Sequence, residues 1–199
     1  MGASGTSDRS TADGRADSRK DPRRFGKALI DAPTLARRVE QLGKQITADY
    51  AGREVVAVGI LKGAAFFYTD LVRHVGVPLV VEFLRVESYG GRTSSSGEVQ
   101  FVSDTDAADV GGRHVLIVED IVDSGVTMQY LRKLFLAREP ASLATCTLLD
   151  KPSRRRIDVP LDYVGFKVAD LFVVGYGMDH GGRYRNLPYI AALEGAQAP

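Results

Sequence analysis

The chain has 199 residues, of which 44% are hydrophobic and 26% are charged, and its formal net charge at pH 7 is +1. This is the composition of an ordinary globular domain, and the balanced charge argues against a protein built to bind nucleic acid or a membrane surface. A single cysteine, Cys146, excludes an intrachain disulfide and fits a reducing, cytoplasmic setting. We see no apolar stretch long enough to span a membrane.

The predicted elements follow a polar tail, residues 1–24, which has almost no large apolar side chain and is expected to be disordered. Residues 25–199 are expected to form one domain. In chain order, the patterns predict a helix over 33–50, a strand over 54–60, a helix over 63–75, a strand over 78–86, a mobile loop over 89–97, strands over 99–102 and 114–118, a helix over 127–137, a strand over 141–149, and short β segments at 163–166 and 172–174.

This alternation of strands and helices predicts an α/β fold with a mainly parallel, twisted sheet flanked by helices. The C-terminal segment is too short for its own core, so we expect a small hood subdomain over the main sheet. In open sheets of this kind ligands bind beyond the carboxyl ends of the strands. The loops after Ile60, Val118 and Leu149 should therefore share one face.

Two adjacent carboxylates, Glu119 and Asp120, follow the apolar run 115–118 directly. Burying unpaired charge is expensive, so a hydrophobic core does not explain them. Ionised carboxylates only accept hydrogen bonds, whereas the 2- and 3-hydroxyls of a ribose are two donors on one ring. The pair therefore suits a sugar diol and would favour positive charge developing on the sugar. The simpler alternative is a pair of solvated loop acids.

A loop suited to phosphate comes next. Gly125 permits a tight turn and close approach of the backbone to a ligand, and Ser124 and Thr127 supply hydroxyls. The helix that follows offers free N–H groups and the positive end of its dipole. Ordinary helix capping by Asp123 or Ser124 would use the same residue types. Because the acid pair immediately precedes this loop, the sequence favours a sugar-phosphate site.

Residues 115–127 resemble the phosphoribosyl-diphosphate motif of the type I phosphoribosyltransferases, in particular their hypoxanthine and hypoxanthine-guanine branch. Further segments resemble that family in the same order: 59–63 its pyrophosphate loop, 86–89 and the following Gly/Ser stretch its flexible lid, 149–151 its base-recognising lysine, and 172–179 with 183–189 its C-terminal purine segment. The resemblance implies the type I fold and an enzyme of purine salvage. That enzyme would join phosphoribosyl diphosphate to a 6-oxopurine, need Mg²⁺, and form a homodimer or homotetramer.

The resemblance also implies roles for single residues. Glu119 and Asp120 would hold the ribose hydroxyls and a magnesium-bound substrate, and Asp123 would take the proton from N7 of the purine as a general base. The 5′-phosphate would be bound by Asp123, Ser124, Gly125, Val126 and Thr127, although the family often has lysine at the position of Val126. Pyrophosphate would be bound by Leu61, Lys62, Gly63 and Arg185, with a cis peptide often found between the residues matching Leu61 and Lys62.

The same resemblance assigns the purine to residues farther along the chain. The Lys151 ammonium only donates hydrogen bonds, so it satisfies O6 of hypoxanthine or guanine and opposes the amino group of adenine. Phe172 would stack on the base, and the backbone of Val173 would hydrogen-bond its edge. Asp179 would help to hold the metal through water or contact the base. Ser88 and Tyr89 would belong to a lid that excludes water during transfer.

Three other classes of protein fit the sequence less well than this family does. Residues 115–120 also resemble the first strand of a receiver domain, but receivers place that strand at the domain start, and here three predicted strands precede it. A phosphoribosyltransferase-fold regulator that binds phosphoribosyl diphosphate is the main alternative, although some such proteins lack the base-reading lysine that Lys151 supplies. A P-loop nucleotide-binding protein is excluded because its glycine-lysine motif does not occur.

Overall fold

The computed structural model describes residues 25–88, 99–101 and 110–193. The predicted tail 1–24 and the lid residue Tyr89 lie outside the described residues. The elements, in chain order, are β1 (Phe25–Ile30), α1 (Ala32–Asp49), β2 (Val55–Leu61), α2 (Ala65–Val72), β3 (Leu79–Ser88), β4 (Val99–Phe101), β5 (His114–Val122), α3 (Val126–Leu136), β6 (Ser142–Asp150), a 3₁₀ turn (Pro152–Arg154), β7 (Tyr163–Lys167), β8 (Val173–Val174) and β9 (Ile190–Leu193).

The main sheet has the strand order β4-β3-β2-β5-β6-β7. Its strands pair in parallel except β4, which runs antiparallel along β3. The central strands are apolar and buried on both faces, as parallel strands covered by helices must be. The predicted α/β class with a mainly parallel sheet is confirmed.

Alternating side chains of the central strands divide the core between two faces. Val55 and Ala57 belong to the cluster that includes α1 and α2, whereas Val56 and Val58 belong to the cluster that includes α3. Helix α1 begins where Asp31 Oδ1 accepts a hydrogen bond from the Thr34 N–H at 2.8 Å. This arrangement leaves the carboxyl ends of β2, β5 and β6 at one edge, where the helices do not cover them.

Strand β5 is longer than the predicted strand over 114–118. Its parallel pairing with β6 continues through Ile121 with Leu149 and Val122 with Asp150. The acid pair therefore lies inside the last part of the strand and does not follow it. Helix α2 is shorter than predicted, since it covers only Ala65–Val72 of the predicted 63–75.

A second, three-stranded antiparallel sheet has the order β1-β9-β8. Neither β1 nor β9 was predicted from the sequence, and the hood includes the first described strand as well as C-terminal residues. Its buried Ile30, Val173 and Ile190 belong to the same core cluster as α1 and α2. The Tyr176 hydroxyl also donates to Asp70 Oδ2 of α2 at 2.6 Å, which ties the hood to that helix. No helix within the described ranges is both long and apolar enough to cross a membrane.

Candidate active site

A cavity of about 310 Å³ lies at the carboxyl ends of the central strands. In the described part of the chain, the predicted site residues that line it are Leu61, Gly63, Glu119, Asp120, Asp123, Gly125, Thr127, Asp179 and Arg185. They come from four separate stretches of sequence, and the strand ends and the hood bring them together. The edge of the sheet is where parallel α/β folds bind their ligands.

The acid pair lines this cavity, where Glu119 is only 9% exposed and Asp120 is half-buried. Burial, and then the neighbouring charge of Asp120, raises the pKa of Glu119 well above its usual value. Burial also raises the pKa of Asp120, against hydrogen bonds and the opposing charge of Arg185. Two neighbouring carboxylates that are largely shielded from water repel each other when both are ionised. A cation or a set of hydroxyl donors in the cavity would relieve that repulsion.

The described residues include no group of three or more His, Cys, Asp or Glu side chains that could hold a metal ion by themselves. Mg²⁺ is commonly bound by one or two carboxylates together with substrate phosphates and water. Glu119 and Asp120 fit that kind of partial ligand set. Glu119, Asp120 and Asp179 therefore do not form a closed protein site, and an ion here would need oxygens from a ligand.

The predicted phosphate loop, residues 123–127, leads directly into α3. Gly125 has φ +81°, and a Cβ there would collide with the carbonyl oxygen of Ile157, so the turn requires glycine. Gly125 is the N-cap of α3 and has no side chain that could make a capping bond. Ser124 Oγ accepts from the Val126 N–H only at 3.4 Å, and the Asp123 carboxylate accepts from the Ser124 N–H. Helix capping thus does not account for Asp123 and Ser124.

The predicted pyrophosphate loop is packed between the acid pair and the hood. The Leu61–Lys62 peptide bond is cis, as the resemblance implies. A Cβ on Gly63 would collide with the Asp120 carboxylate, and a Cβ on Gly177 would collide with the Gly63 carbonyl oxygen. The Lys62 side chain is exposed and does not line the cavity.

Asp179 and Arg185 line the cavity from the hood and form an ion pair with 2.5 Å between Nη2 and Oδ1. Asp179 Oδ2 also accepts from the Gly182 N–H at 2.6 Å, and Arg185 Nη1 donates to the Gly177 carbonyl oxygen at 2.6 Å. Each side chain therefore has a second partner in the backbone. The pair is held in place before any ligand binds.

Of the four predicted purine residues, Asp179 lines this cavity, whereas Lys151, Phe172 and Val173 do not. Lys151 is 5% exposed, its Nζ donates to the Leu171 carbonyl oxygen at 2.5 Å, and burial lowers its pKa. Phe172 packs edge-to-face against His180, with ring centroids 5.2 Å apart. Val173 is buried in β8. The lysine therefore contacts the residue next to Phe172, while its own N–H donates to the Val122 carbonyl oxygen at 3.0 Å.

Some predicted residues stay apart from the cavity, and some of its lining was not predicted. Ser124 and Val126 flank Gly125 without lining the cavity, and Ser88 ends β3. The apolar lining that the sequence analysis missed is Ile60, Val86, Ile121, Val122 and Met128. A signal was available for most of these, since they end a strand or begin a helix at the ligand-binding edge. Arg155, which contacts the phosphate loop from behind, was also missed, and no local pattern pointed to it.

Comparison with known proteins shows which family the chain belongs to. A family model described as phosphoribosyl transferase domain matches residues 26–180. The chain is 48% identical to the hypoxanthine-guanine phosphoribosyltransferase of Bacillus subtilis (strain 168) over 170 residues, which cover 85% of this chain and 94% of that one. A hypoxanthine-guanine phosphoribosyltransferase structure from Bacillus anthracis, with a HEPES molecule in its active site, has a TM-score of 0.80 at 41% identity and matches 85% of this chain and 99% of its own.

A structure of the Trypanosoma cruzi hypoxanthine phosphoribosyl transferase has a TM-score of 0.80 at 38% identity, covering 87% of this chain and 94% of its own. That structure concerns the role of the C-terminal region in oligomeric state and enzymatic activity. The fold, the placement of the acidic strand end and these likenesses agree with one another. The chain belongs to the phosphoribosyl transferase domain family.

Proposed function

We propose that the protein is a hypoxanthine phosphoribosyltransferase. It transfers the 5-phosphoribosyl group from phosphoribosyl diphosphate to a 6-oxopurine, hypoxanthine and also guanine, and releases pyrophosphate in purine salvage. The main observation behind the proposal is that the acid pair, buried Glu119 and half-buried Asp120, shares one cavity with Asp123 and the glycine turn at Gly125. The similar proteins are named as enzymes of this type, which favours catalysis over the regulatory alternative.

The phosphoribosyl group would occupy the cavity at the end of β5. Glu119 and Asp120 would accept hydrogen bonds from the ribose hydroxyls and stabilise positive charge on the sugar as its bond to pyrophosphate breaks. The 5′-phosphate would lie against residues 123–127, at the N-terminus of α3. Gly125 and Thr127 already line the cavity, which supports this placement.

Magnesium is part of the proposal, and Glu119, Asp120 and Asp179 would hold it through water and substrate oxygens. When bound, it would supply positive charge to the departing pyrophosphate. Arg185 would add a fixed cation beside Asp179. Leu61, Lys62 and Gly63 would surround the pyrophosphate through the loop after β2, where Lys62 is exposed and free to turn toward a ligand.

The base would lie between Lys151 and Phe172. Asp123 would accept the N7 proton as the new bond forms, Lys151 would donate to O6, and the Val173 backbone would hydrogen-bond the edge of the ring. Exchanging its bond to the Leu171 carbonyl oxygen for one to O6 would leave the buried ammonium satisfied. Ser88 and Tyr89 would close over the site and exclude the water that competes for the sugar.

The protein would act as a homodimer or homotetramer in the cytoplasm, with residues 25–199 as its single domain. Large apolar side chains on α2 and β3 support association, since Phe66 is 45%, Val81 49% and Phe83 37% exposed. The lone, buried Cys146 supports a reducing compartment. Light scattering of the purified protein would contradict the oligomer proposal if it gave a monomer mass at assay concentration.

The deciding experiment is an assay of the purified protein with phosphoribosyl diphosphate, magnesium and each purine in turn. We expect inosine and guanosine monophosphate from hypoxanthine and guanine, and no product from adenine. Xanthine is the fourth base to be assayed. Binding of phosphoribosyl diphosphate without transfer to any base would contradict the enzyme and support the regulatory alternative.

A further inference from the structure

The residues that follow Lys151 cover the phosphate loop on the side away from the cavity. The Lys151 N–H donates to the Val122 carbonyl oxygen at 3.0 Å, and the N–H groups of Arg156 and Ile157 both donate to the Ser124 carbonyl oxygen at 3.0 Å. We call residues 151–157 the covering segment. It supplies partners for backbone carbonyls of a loop that would otherwise be free to change direction.

Arg155 completes this set of contacts with its side chain. Its Nε donates to the Asp123 carbonyl oxygen at 3.0 Å and its Nη2 to the Val122 carbonyl oxygen at 3.3 Å. Nη2 also forms an ion pair with Asp150 Oδ1 at 2.5 Å, and the two side chains are only 16% and 9% exposed. A rigid, forked guanidinium can hold three acceptors at once, which an ammonium on a flexible stem cannot do in the same geometry.

The direction of these carbonyls decides where the loop's donors point. Of the described peptide bonds, only Leu61–Lys62 is cis, so the bonds after Val122, Asp123 and Ser124 are trans and planar. In a trans peptide the C=O and the next N–H point in opposite directions. Because all three carbonyls point toward the covering segment, the N–H groups of residues 123–125 point away from it. Asp123 and Gly125 line the cavity on that side. The Ser124 N–H there donates to the Asp123 carboxylate, which leaves the N–H groups of Asp123 and Gly125 to donate to a phosphate oxygen.

We propose that Arg155, held by Asp150, is a positioning residue for the 5′-phosphate. It does not line the cavity; it acts through the backbone of residues 122–124, whose carbonyls it and its neighbours fix. The inference rests on the proposed function, since it assumes that a phosphate group binds this loop. The ion pair of Arg155 with Asp150, behind the loop, should therefore affect the affinity for the phosphate. It should not affect the affinity for the base or the sugar.

The test compares the binding of inosine monophosphate with that of inosine, measured by calorimetry on the purified full-length protein with magnesium. The two probes differ only in the phosphate. For Arg155→Gln we expect the affinity for inosine monophosphate to fall about tenfold or more, with the affinity for inosine unchanged. Arg155→Lys keeps a positive charge beside Asp150 but cannot hold both carbonyls, so it should show the same selective loss while folding normally.

Arg38 provides a matched control. Its Nε donates to the Gly165 carbonyl oxygen at 3.0 Å and its Nη2 to the Val164 carbonyl oxygen at 2.6 Å, and it does not line the cavity. Arg38→Gln should lower the melting temperature without changing the ratio of the two affinities. An Arg155→Lys protein that keeps the parent's ratio, or an Arg38→Gln protein that loses it equally, contradicts the inference.

The outcome for the parent protein separates this inference from the proposed function. A parent that binds inosine monophosphate no more tightly than inosine contradicts the phosphate site itself, and the role of Arg155 with it. A parent that discriminates strongly, together with Arg155 variants that discriminate as well, contradicts the role of Arg155 alone.

Discussion

The two halves of the candidate site are built in different ways. The sugar-phosphate half is one run, residues 119–127, which ends a central strand and begins a helix. The purine half is collected from three segments, with Lys151 after β6, Phe172 and Val173 at β8, and Asp179 in the hood. Sugar-phosphate geometry thus depends on local backbone and on its covering segment. Purine geometry depends on how the hood packs against the main sheet.

This difference determines which substitutions should affect the reaction with every purine and which should discriminate between purines. A change at residues 119–127 should affect every purine equally, because each reacts with the same sugar phosphate. A change at Lys151 or Phe172 should alter the ranking of purines and leave phosphoribosyl diphosphate binding intact. The substitutions below are given in order of decreasing expected effect, and each tests whether the two halves of the site respond separately.

Asp123→Asn should have the largest effect, because an amide cannot take the N7 proton. General-base catalysis is worth about 10²- to 10⁴-fold in rate, so we expect kcat to fall by that order with hypoxanthine and guanine alike. The exposed Asp158→Asn, which also removes a carboxylate, is the control and should keep full turnover. Steady-state kinetics and a melting curve suffice; a folded Asp123→Asn enzyme with parental kcat would exclude the general-base role.

Gly125→Ala should weaken the binding of phosphoribosyl diphosphate by the sugar-phosphate half of the site. The new Cβ would collide with the Ile157 carbonyl oxygen, and the residue has φ +81°. We expect KM for phosphoribosyl diphosphate to rise and stability to fall by roughly 1–3 kcal/mol. Gly112→Ala is a close control, since its φ is +66° but nothing lies within 4 Å of the added methyl group. Equal losses in both variants would show that the backbone angle alone, and not the covering segment, is responsible.

Lys151→Gln should act on the purine half alone. A glutamine amide can accept from the amino group of adenine as well as donate to O6. We expect the ratio of kcat/KM for hypoxanthine to that for adenine to fall roughly 10- to 100-fold, equivalent to about 1.4–2.8 kcal/mol, at unchanged KM for phosphoribosyl diphosphate. The exposed Lys167→Gln should change neither quantity. A Lys151→Gln enzyme that still rejects adenine as strongly as the parent would contradict the assignment of Lys151.

Val126→Lys should have the smallest effect and the opposite sign. It places a cation at the start of α3, in the loop assigned to the 5′-phosphate. A partly exposed charge pair contributes about 0.2–1 kcal/mol, so KM for phosphoribosyl diphosphate should fall up to about fivefold at low salt, and less at high salt. Val126→Leu controls for the change in size. A Val126→Lys enzyme with higher KM at every salt concentration would place the phosphate elsewhere.

The sequence predicted the main sheet well because its signals are local. Apolar runs such as 55–60 and 115–118 bound by turns identify buried strands without knowledge of the partner strand. The end of β5 was missed because Glu119 and Asp120 have poor strand propensity, and only the continued pairing with β6 keeps them extended. The register of that pairing is a tertiary property that the residues themselves do not contain.

The hood and the covering segment, by contrast, could not be predicted from local sequence patterns. Strands β1 and β9 pair across almost the whole chain, and neither segment alone has a strong strand pattern. Arg155 looks like one of three consecutive arginines in a polar turn, and only the fold places it behind the phosphate loop. The chemistry of residues 119–127 could be inferred from the run itself, whereas the purine residues were found only through the family resemblance.

The pairing of β1 with β9 also sets an order of events during synthesis. The main sheet is complete once Lys167 has been made, but β1 must wait for Ile190–Leu193, which end the described chain. Pairing across such a distance is slow, because a long loop must close before the two strands meet. The sugar-phosphate half of the site can therefore assemble before residues 190–193 are made. Asp179 and Arg185 lie between β8 and β9, so a product truncated before Ile190 would keep the sugar-phosphate half but would lack the strand that completes the hood sheet.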